Sequence, residues 1–205
     1  LNVAECKIKK FDTVTAYMTK RFDRQNTVQR IQQEDFCQGL GLSNKKYQRT
    51  EGGPSIKQCF QFIHNNLANK AKDELHFLKS IAFNFLIGNS DAHGKNFSYL
   101  HTANGYVLSP LYDLVSTQVY PQLAKEMSMS IGGEYEPDRI TRTNFMVMAK
   151  ELGVKSQLIN DILDKLAAEI IVQAEKLKEM TTTEKTYNPV YDKVIEIIKA
   201  RVAQL

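Results

Sequence analysis

The chain has 205 residues, 42% of them hydrophobic and 24% charged, with 27 Lys and Arg against 23 Asp and Glu for a net charge of +4. Such values fit a globular sequence of one domain, or one domain with a small appendage, and exclude disordered and fibrous classes. The longest apolar stretches, such as Ile81 to Ile87, are too short and too interrupted to cross a bilayer, so no membrane span is expected.

The chain opens on Leu1, and Leu1 to Lys10 has neither a signal core nor an arginine-rich amphipathic pattern. The start is therefore expected to be a truncation, a processing site or the continuation of an upstream segment. Three cysteines, Cys6, Cys37 and Cys59, without C-x-x-C spacing favour neither a disulfide framework nor a zinc site and fit a reduced, cytoplasmic setting. The basic residues are scattered, which a solvated surface explains, and direct nucleic-acid binding is not indicated.

Alternation through Thr13 to Thr19, with Asp12-Thr13 between two extended runs, predicts a β-hairpin over Glu5 to Arg24. Glu34 to Leu42 places Phe36, Cys37 and Leu40 at helical spacing, for a short helix. Residues 43 to 54 read as loop, and Pro54 suits the first turn of a helix with apolar positions Ile56, Phe60, Ile63 and Leu67. Asp73 to Ile87 is apolar on nearly every face, the mark of a central buried helix, with Gly88 as its stop. Strands at about Phe97 to His101 and Tyr106 to Leu108, with Asn104-Gly105 between them, form a second hairpin.

Met127 to Ile131 alternates like a strand before the turn Gly132-Gly133. Three helices complete the chain, at about Thr141 to Leu152, Lys155 to Met180 and Pro189 to Ala203. Their packed positions include Leu158, Ile162, Leu166 and Ile170, then Val194, Ile197, Ile198 and Val202. The predicted fold class is α+β and mostly α, with short β-hairpins beside the site.

The chemistry concentrates in Asn89-Ser90-Asp91-Ala92-His93-Gly94-Lys95-Asn96, followed by Leu111-Tyr112-Asp113. A carboxylate, an amide five residues on and a second carboxylate beyond a connector suit phosphoryl transfer. In that reading Asp91 orients and deprotonates an acceptor hydroxyl, and Lys95 offsets charge on the transferring group. Asn96 and Asp113 supply oxygen ligands to Mg²⁺. His93 braces the loop or approaches the phosphates. Singly, each residue has a plainer explanation: Asp91 in an Asx turn, Asn96 capping a hairpin. The four histidines lack H-x-x-x-H spacing and no G-x-S-x-G appears, which counts against zinc or serine hydrolases.

These residues, with Lys20-Arg21-Phe22-Asp23-Arg24, Gln33 to Cys37, Leu40-Gly41-Leu42, Lys46-Tyr47, Gly52-Gly53-Pro54 and Ser109-Pro110-Leu111-Tyr112-Asp113-Leu114, resemble the C-terminal part of the HipA-type serine/threonine kinases, toxins of toxin–antitoxin modules. Motif-level agreement covers roughly residues 1 to 117. The resemblance implies a protein-kinase-like helical C-terminal lobe from about residue 25, with residues 1–24 as a hinge-proximal remnant of an N-terminal lobe. It implies ATP and Mg²⁺ as cofactors, with Asp91 as the catalytic residue and Asn96 and Asp113 as metal ligands. His93, Gly94, Lys95, Asn96 and Tyr112 would line the phosphate side, and the backbone of Lys20, Arg21 and Phe22 would meet adenine.

The implied substrate is a Ser or Thr of a protein such as a translation factor, the outcome growth arrest, and the partner a DNA-binding HipB-like antitoxin. The upstream Gly-rich loop and strand lysine of the family find no match here, and Lys20 stands where many relatives have an acidic residue. Either an upstream portion is missing from these residues or the lobe is catalytically crippled. A non-catalytic module docking an antitoxin or a separate N-terminal subunit is thus the alternative, and a Mg²⁺-dependent small-molecule phosphotransferase a third. Loop hydroxyls such as Ser43, Thr50 and Ser55 are unexceptional as modification sites.

Overall fold

Helix α3 (Lys70–Leu86) is the centre of the molecule because, beyond an exposed first turn, apolar side chains occupy nearly every face of it. Phe77, Leu78, Ile81, Ala82, Phe85 and Leu86 are all buried along it, and α2 (Ile56–Asn66), α5 (Ser156–Thr183) and α6 (Val190–Ala203) pack around it. Each fully buried Phe contributes about 1.5–3 kcal/mol of transfer free energy. The computed structural model describes residues 1–25, 29–43, 45, 47, 52–184 and 186–205. Lys46 and Thr50 lie outside the described residues. Among those described, no helix is long and apolar enough to cross a membrane.

The first hairpin forms as expected, β1 (Cys6–Phe11) against β2 (Val14–Thr19), paired from Cys6 opposite Thr19 to Phe11 opposite Val14. Asp12 takes the left-handed conformation (φ 50°) that its tight turn requires. The ribbon is exposed on both faces, and residues 2–4 return to the body through Ala4 N–H to Leu111 O at 2.8 Å and Leu111 N–H to Asn2 O at 2.9 Å. Two short strands, β3 (Arg24–Gln25) and β4 (Gln29–Arg30), pair with each other after this hairpin.

A further strand is absent from the sequence reading. β5 (Gln33–Asp35) pairs with β6 (Ser98–Thr102), which pairs with β7 (Gly105–Leu108), giving an antiparallel sheet ordered β5-β6-β7. Gln-Glu-Asp has little β propensity, so tertiary pairing overrides it. The turn between β6 and β7 is centred one residue earlier than predicted, on Ala103-Asn104, with Gly105 (φ 104°) already opposite Thr102. The short helix α1 (Phe36–Gly39) follows β5 at once, capped by Asp35 and Gln38 reciprocally.

Three other expectations are corrected. Pro54 precedes rather than opens α2, because Ser55 is the N-cap and forms a capping box with Gln58. Met127 to Ile131 is not a strand: Met127, Met129 and Ile131 are buried, producing the alternation, but only Ile131 makes an isolated bridge, to Glu134 across Gly132-Gly133. On α5 the buried positions are Ile159, Ile162, Leu163 and Ile170, while Leu158 is 37% exposed. The last three helices otherwise match, with α4 at Arg142–Leu152 capped by Thr141 and ended by left-handed Gly153.

Candidate active site

The rigid end of α3 delivers the chemistry. Ile87 is its C-cap, and Gly88 (φ 69°) turns the chain into the loop 89–96, which sits on the core. Asn89, 1% exposed, makes the first fixture: its Oδ1 accepts from Asp91 N–H at 3.1 Å, an Asx turn. Its Nδ2 donates to Asn84 Oδ1 at 2.8 Å and to the Asp113 carbonyl at 3.4 Å. One buried amide therefore holds the loop of Asp91 against the segment of Asp113. Sequence reasoning placed the Asx turn on Asp91 and overlooked Asn89, whose only signal was an amide two residues before an aspartate.

Asn96 closes the same loop, donating its Nδ2 to the Asp91 carbonyl at 2.8 Å. With the amide nitrogen committed, Oδ1 is the atom that has ligand chemistry. His93, 8% exposed, holds Nε2 at 3.7 Å from Asp91 Oδ1, and its Nδ1 is buried with no hydrogen-bond partner among the described residues. Burial lowers the imidazole pKa, opposed by the Asp91 carboxylate, so the ring is neutral near pH 7. The Asp91 carboxylate itself is 51% exposed and reachable by an acceptor.

Lys95 places Nζ 4.1 Å from the centroid of the Tyr47 ring, and that ring meets His93 edge-on at 4.8 Å. Tyr112 donates its hydroxyl to the Lys95 carbonyl at 2.6 Å and also meets Ser98 Oγ, and burial pushes its phenol up to about 12. It is a neutral tether between the loop and the approach to Asp113. Asp113 takes φ 54°, the left-handed region that costs a non-glycine residue of order 1 kcal/mol. Its side chain is exposed.

Gly94 is buried, and a Cβ there would lie 2.4 Å from Pro54 Cγ and 2.9 Å from Cys37 Sγ. The glycine lets the loop press onto the start of α2. Lys20 is at the surface, pairing with Glu5 at 3.1 Å, and its backbone N–H is spent on the Glu5 carbonyl. Arg21 and Phe22 follow, with the Phe22 ring 5.9 Å from that of Tyr112.

A cavity of about 340 Å³ joins this stretch to Asp113, lined by Thr19 to Asp23, Gln33, Tyr112 and Asp113. A second, of about 450 Å³, shares Arg21, Asp23, Gln33 and Tyr112 with it and reaches Lys95 and Ser98. The buried Asp23 on their common wall, also missed by sequence reasoning, takes Arg21 Nε at 2.8 Å and Nη2 at 2.6 Å, and pairs with Arg24. The Arg21 guanidinium holds its carboxyl down at about 2.

Among the described residues no group of three or more His, Cys, Asp or Glu could hold a metal. The donor set of Asn96 and Asp113 fits a cation that keeps waters and takes the rest of its shell from phosphate oxygens, which describes Mg²⁺ better than Zn²⁺ or Ca²⁺.

The model of the HipA-like C-terminal domain family matches residues 1–174. Y4mE of Sinorhizobium fredii, which has a provisional kinase name, is 41% identical over 146 residues, 69% of this chain and 35% of that protein. The serine/threonine-protein kinase toxin HipA of Shewanella oneidensis is 33% identical over 201 residues, 87% of this chain and 46% of the relative.

A chain from the Shewanella oneidensis toxin–antitoxin complex of HipA, HipB and operator DNA superposes with a TM-score of 0.86 at 28% identity, covering 100% of this chain and 51% of that one. The Helicobacter pylori proinflammatory kinase CtkA shares the fold at a TM-score of 0.55 and 12% identity, covering 100% of this chain and 78% of its own. This chain thus spans about half or less of the two curated relatives.

Proposed function

The chain belongs to the HipA-like C-terminal domain family, and from that premise we propose that it is the catalytic lobe of an ATP-dependent serine/threonine protein kinase. Asp91 orients and deprotonates the acceptor hydroxyl, a task that needs a reachable carboxylate on a fixed backbone. Lys95 offsets charge on the transferred group. Asn96 Oδ1 and the Asp113 carboxylate would hold Mg²⁺, which, when bound, neutralises the nucleotide phosphates. The cavity between Thr19–Asp23 and Asp113 takes the nucleoside end, and His93 belongs to the phosphate side. Residues 1–24 belong with an N-terminal lobe and residues 25–205 form the lobe described above.

The observation that carries this reading is the Asn89 amide, hydrogen-bonded to Asp91 on one side and Asp113 on the other. It brings the two carboxylate-bearing segments, separated in sequence by a hairpin, to one place. By its likeness to a chain from the HipA–HipB–DNA complex, the protein's partner is a DNA-binding antitoxin, and the outcome of phosphorylating its target is growth arrest. The test is transfer of labelled γ-phosphate from Mg·ATP to protein Ser or Thr by the complete gene product, with Asp91→Asn and Asp113→Asn as controls. No transfer above the level of Asp91→Asn would leave a non-catalytic docking module in its place.

A further inference from the structure

Ser90, the residue before the proposed base, has every polar atom engaged. Its N–H donates to Thr117 Oγ1 at 2.8 Å, and its carbonyl accepts from Ser128 N–H at 2.9 Å and Ser128 Oγ at 2.8 Å. Its Oγ donates to the Lys125 carbonyl at 2.7 Å and accepts from Gln118 Nε2 at 3.1 Å. The other end of the Gln118 amide meets Arg201: Nη2 donates to Oε1 at 2.7 Å from the last turns of α6.

Arg201 is 7% exposed, its guanidinium lies 5.7 Å from the Phe85 ring centroid, and it also reaches Asp138 at 2.8 Å and Gln204 at 2.9 Å. Its Nε is buried without a partner among the described residues.

Burying a guanidinium costs several kcal/mol before its partners repay it, and pinning α6 to the core would need only an apolar side chain. What a guanidinium does that an apolar group cannot is dictate the orientation of an amide. Arginine only donates, so Oε1 of Gln118 must face it and Nε2 must face Ser90. Without that constraint the amide is free to turn over and present an acceptor to Ser90. Gly88 permits the close approach of Gln118 and α6 to the loop, because a Cβ there would lie 2.7 Å from Ile197 Cγ2 and 3.2 Å from Gln118 Oε1.

Resting on the kinase reading above, we infer that Arg201 is a positioning residue that fixes the backbone of Asp91 through Gln118 and Ser90. The family resemblance read from sequence stopped near residue 117, so this tie enters from a part of the chain in which no chemistry was expected.

The deciding variant is Gln118→Glu in the complete gene product. It keeps an acceptor for Arg201, which neutralises the added charge, and removes the donor to Ser90. The expected result is a Tm within a few degrees of wild type and a kcat reduced about tenfold or more, since small misplacements of a catalytic group are costly. KM for ATP should stay within about twofold, a split that plain destabilisation would not give. Hydrogen–deuterium exchange at the Ser90 and Asp91 amides should quicken about tenfold. Arg201→Met should give the same kcat and exchange changes with a lower Tm.

Unchanged exchange and kcat in Gln118→Glu would overturn the inference. If wild type shows no transfer above the Asp91→Asn level, the kinase reading fails, and exchange alone decides whether Arg201 orders the loop.

Discussion

Asn89 donates its side-chain amide to the Asp113 carbonyl across 24 residues of sequence, at 3.4 Å, while the same nitrogen donates to Asn84. Asn89→Asp cannot make either bond and leaves a buried carboxylate facing two acceptors. The variant should lose roughly 3 kcal/mol or more of stability, against about 1–3 for Asn89→Ala, in urea unfolding. Equal losses for the two would show that the amide donors are not what joins the segments.

Asp91→Asn keeps the shape of the loop, because its fixtures are backbone N–H and carbonyl groups. Phosphate transfer should fall by about 10²–10⁴-fold with Tm and nucleotide binding nearly unchanged. Retained transfer would remove Asp91 as base.

At Asp113 the conformation and the proposed ligand role can be separated. Asp113→Asn should abolish the Mg²⁺-dependent thermal shift with ATP. Asp113→Gly should abolish it too, yet leave the nucleotide-free protein as stable as wild type or up to about 1 kcal/mol more so, since φ 54° suits glycine and the side chain is exposed. A large fall in stability for the glycine variant would mark Asp113 as structural instead.

Asp23 has a folded pKa held near 2 by Arg21 and Arg24, below its ordinary value of 3.8. The unfolded chain then binds the extra proton first, so the carboxylate's contribution is complete above about pH 4 and lost as pH falls towards 2. After discounting for the exposed Arg21 partner, Asp23→Asn should cost roughly 1–2 kcal/mol at pH 7. The difference from wild type should close on acidification. Parallel pH–stability curves for the two proteins would contradict the assignment.

Gly94→Ala forces a methyl against Pro54 and the buried Cys37. It should destabilise by about 1–3 kcal/mol and slow transfer by displacing Lys95 and Asn96. Pro54→Ala, which opens the space, should recover part of both losses, measured by Tm and initial rate.

The helices were legible because burial writes a period into them: α3, α4, α5 and α6 appear within a few residues of where apolar spacing, Thr141, Gly88 and Pro189 put them. The site loop was legible as a motif, since Asp91, Asn96 and Asp113 are chemically committed residue types. Strand β5 was not, because Gln33-Glu34-Asp35 forms a strand only through its partner β6. Met127 to Ile131 misled for the converse reason, as alternation records which side chains are buried and not whether the backbone has a neighbour. The supports of the loop, Asn89, Ser90, Gln118 and Arg201, are ordinary polar residues whose meaning lies in contacts 24 to 83 residues away in sequence.

The β1–β2 ribbon has a practical consequence. Two-stranded among the described residues, it presents outer rows of backbone donors and acceptors together with Ile8, Phe11, Val14, Tyr17 and Met18, each at least 38% exposed. Such an edge is a template for self-association. Produced as these 205 residues alone, the polypeptide will aggregate as its concentration rises, and lysine in place of Val14 and Tyr17 is the change that should keep it in solution.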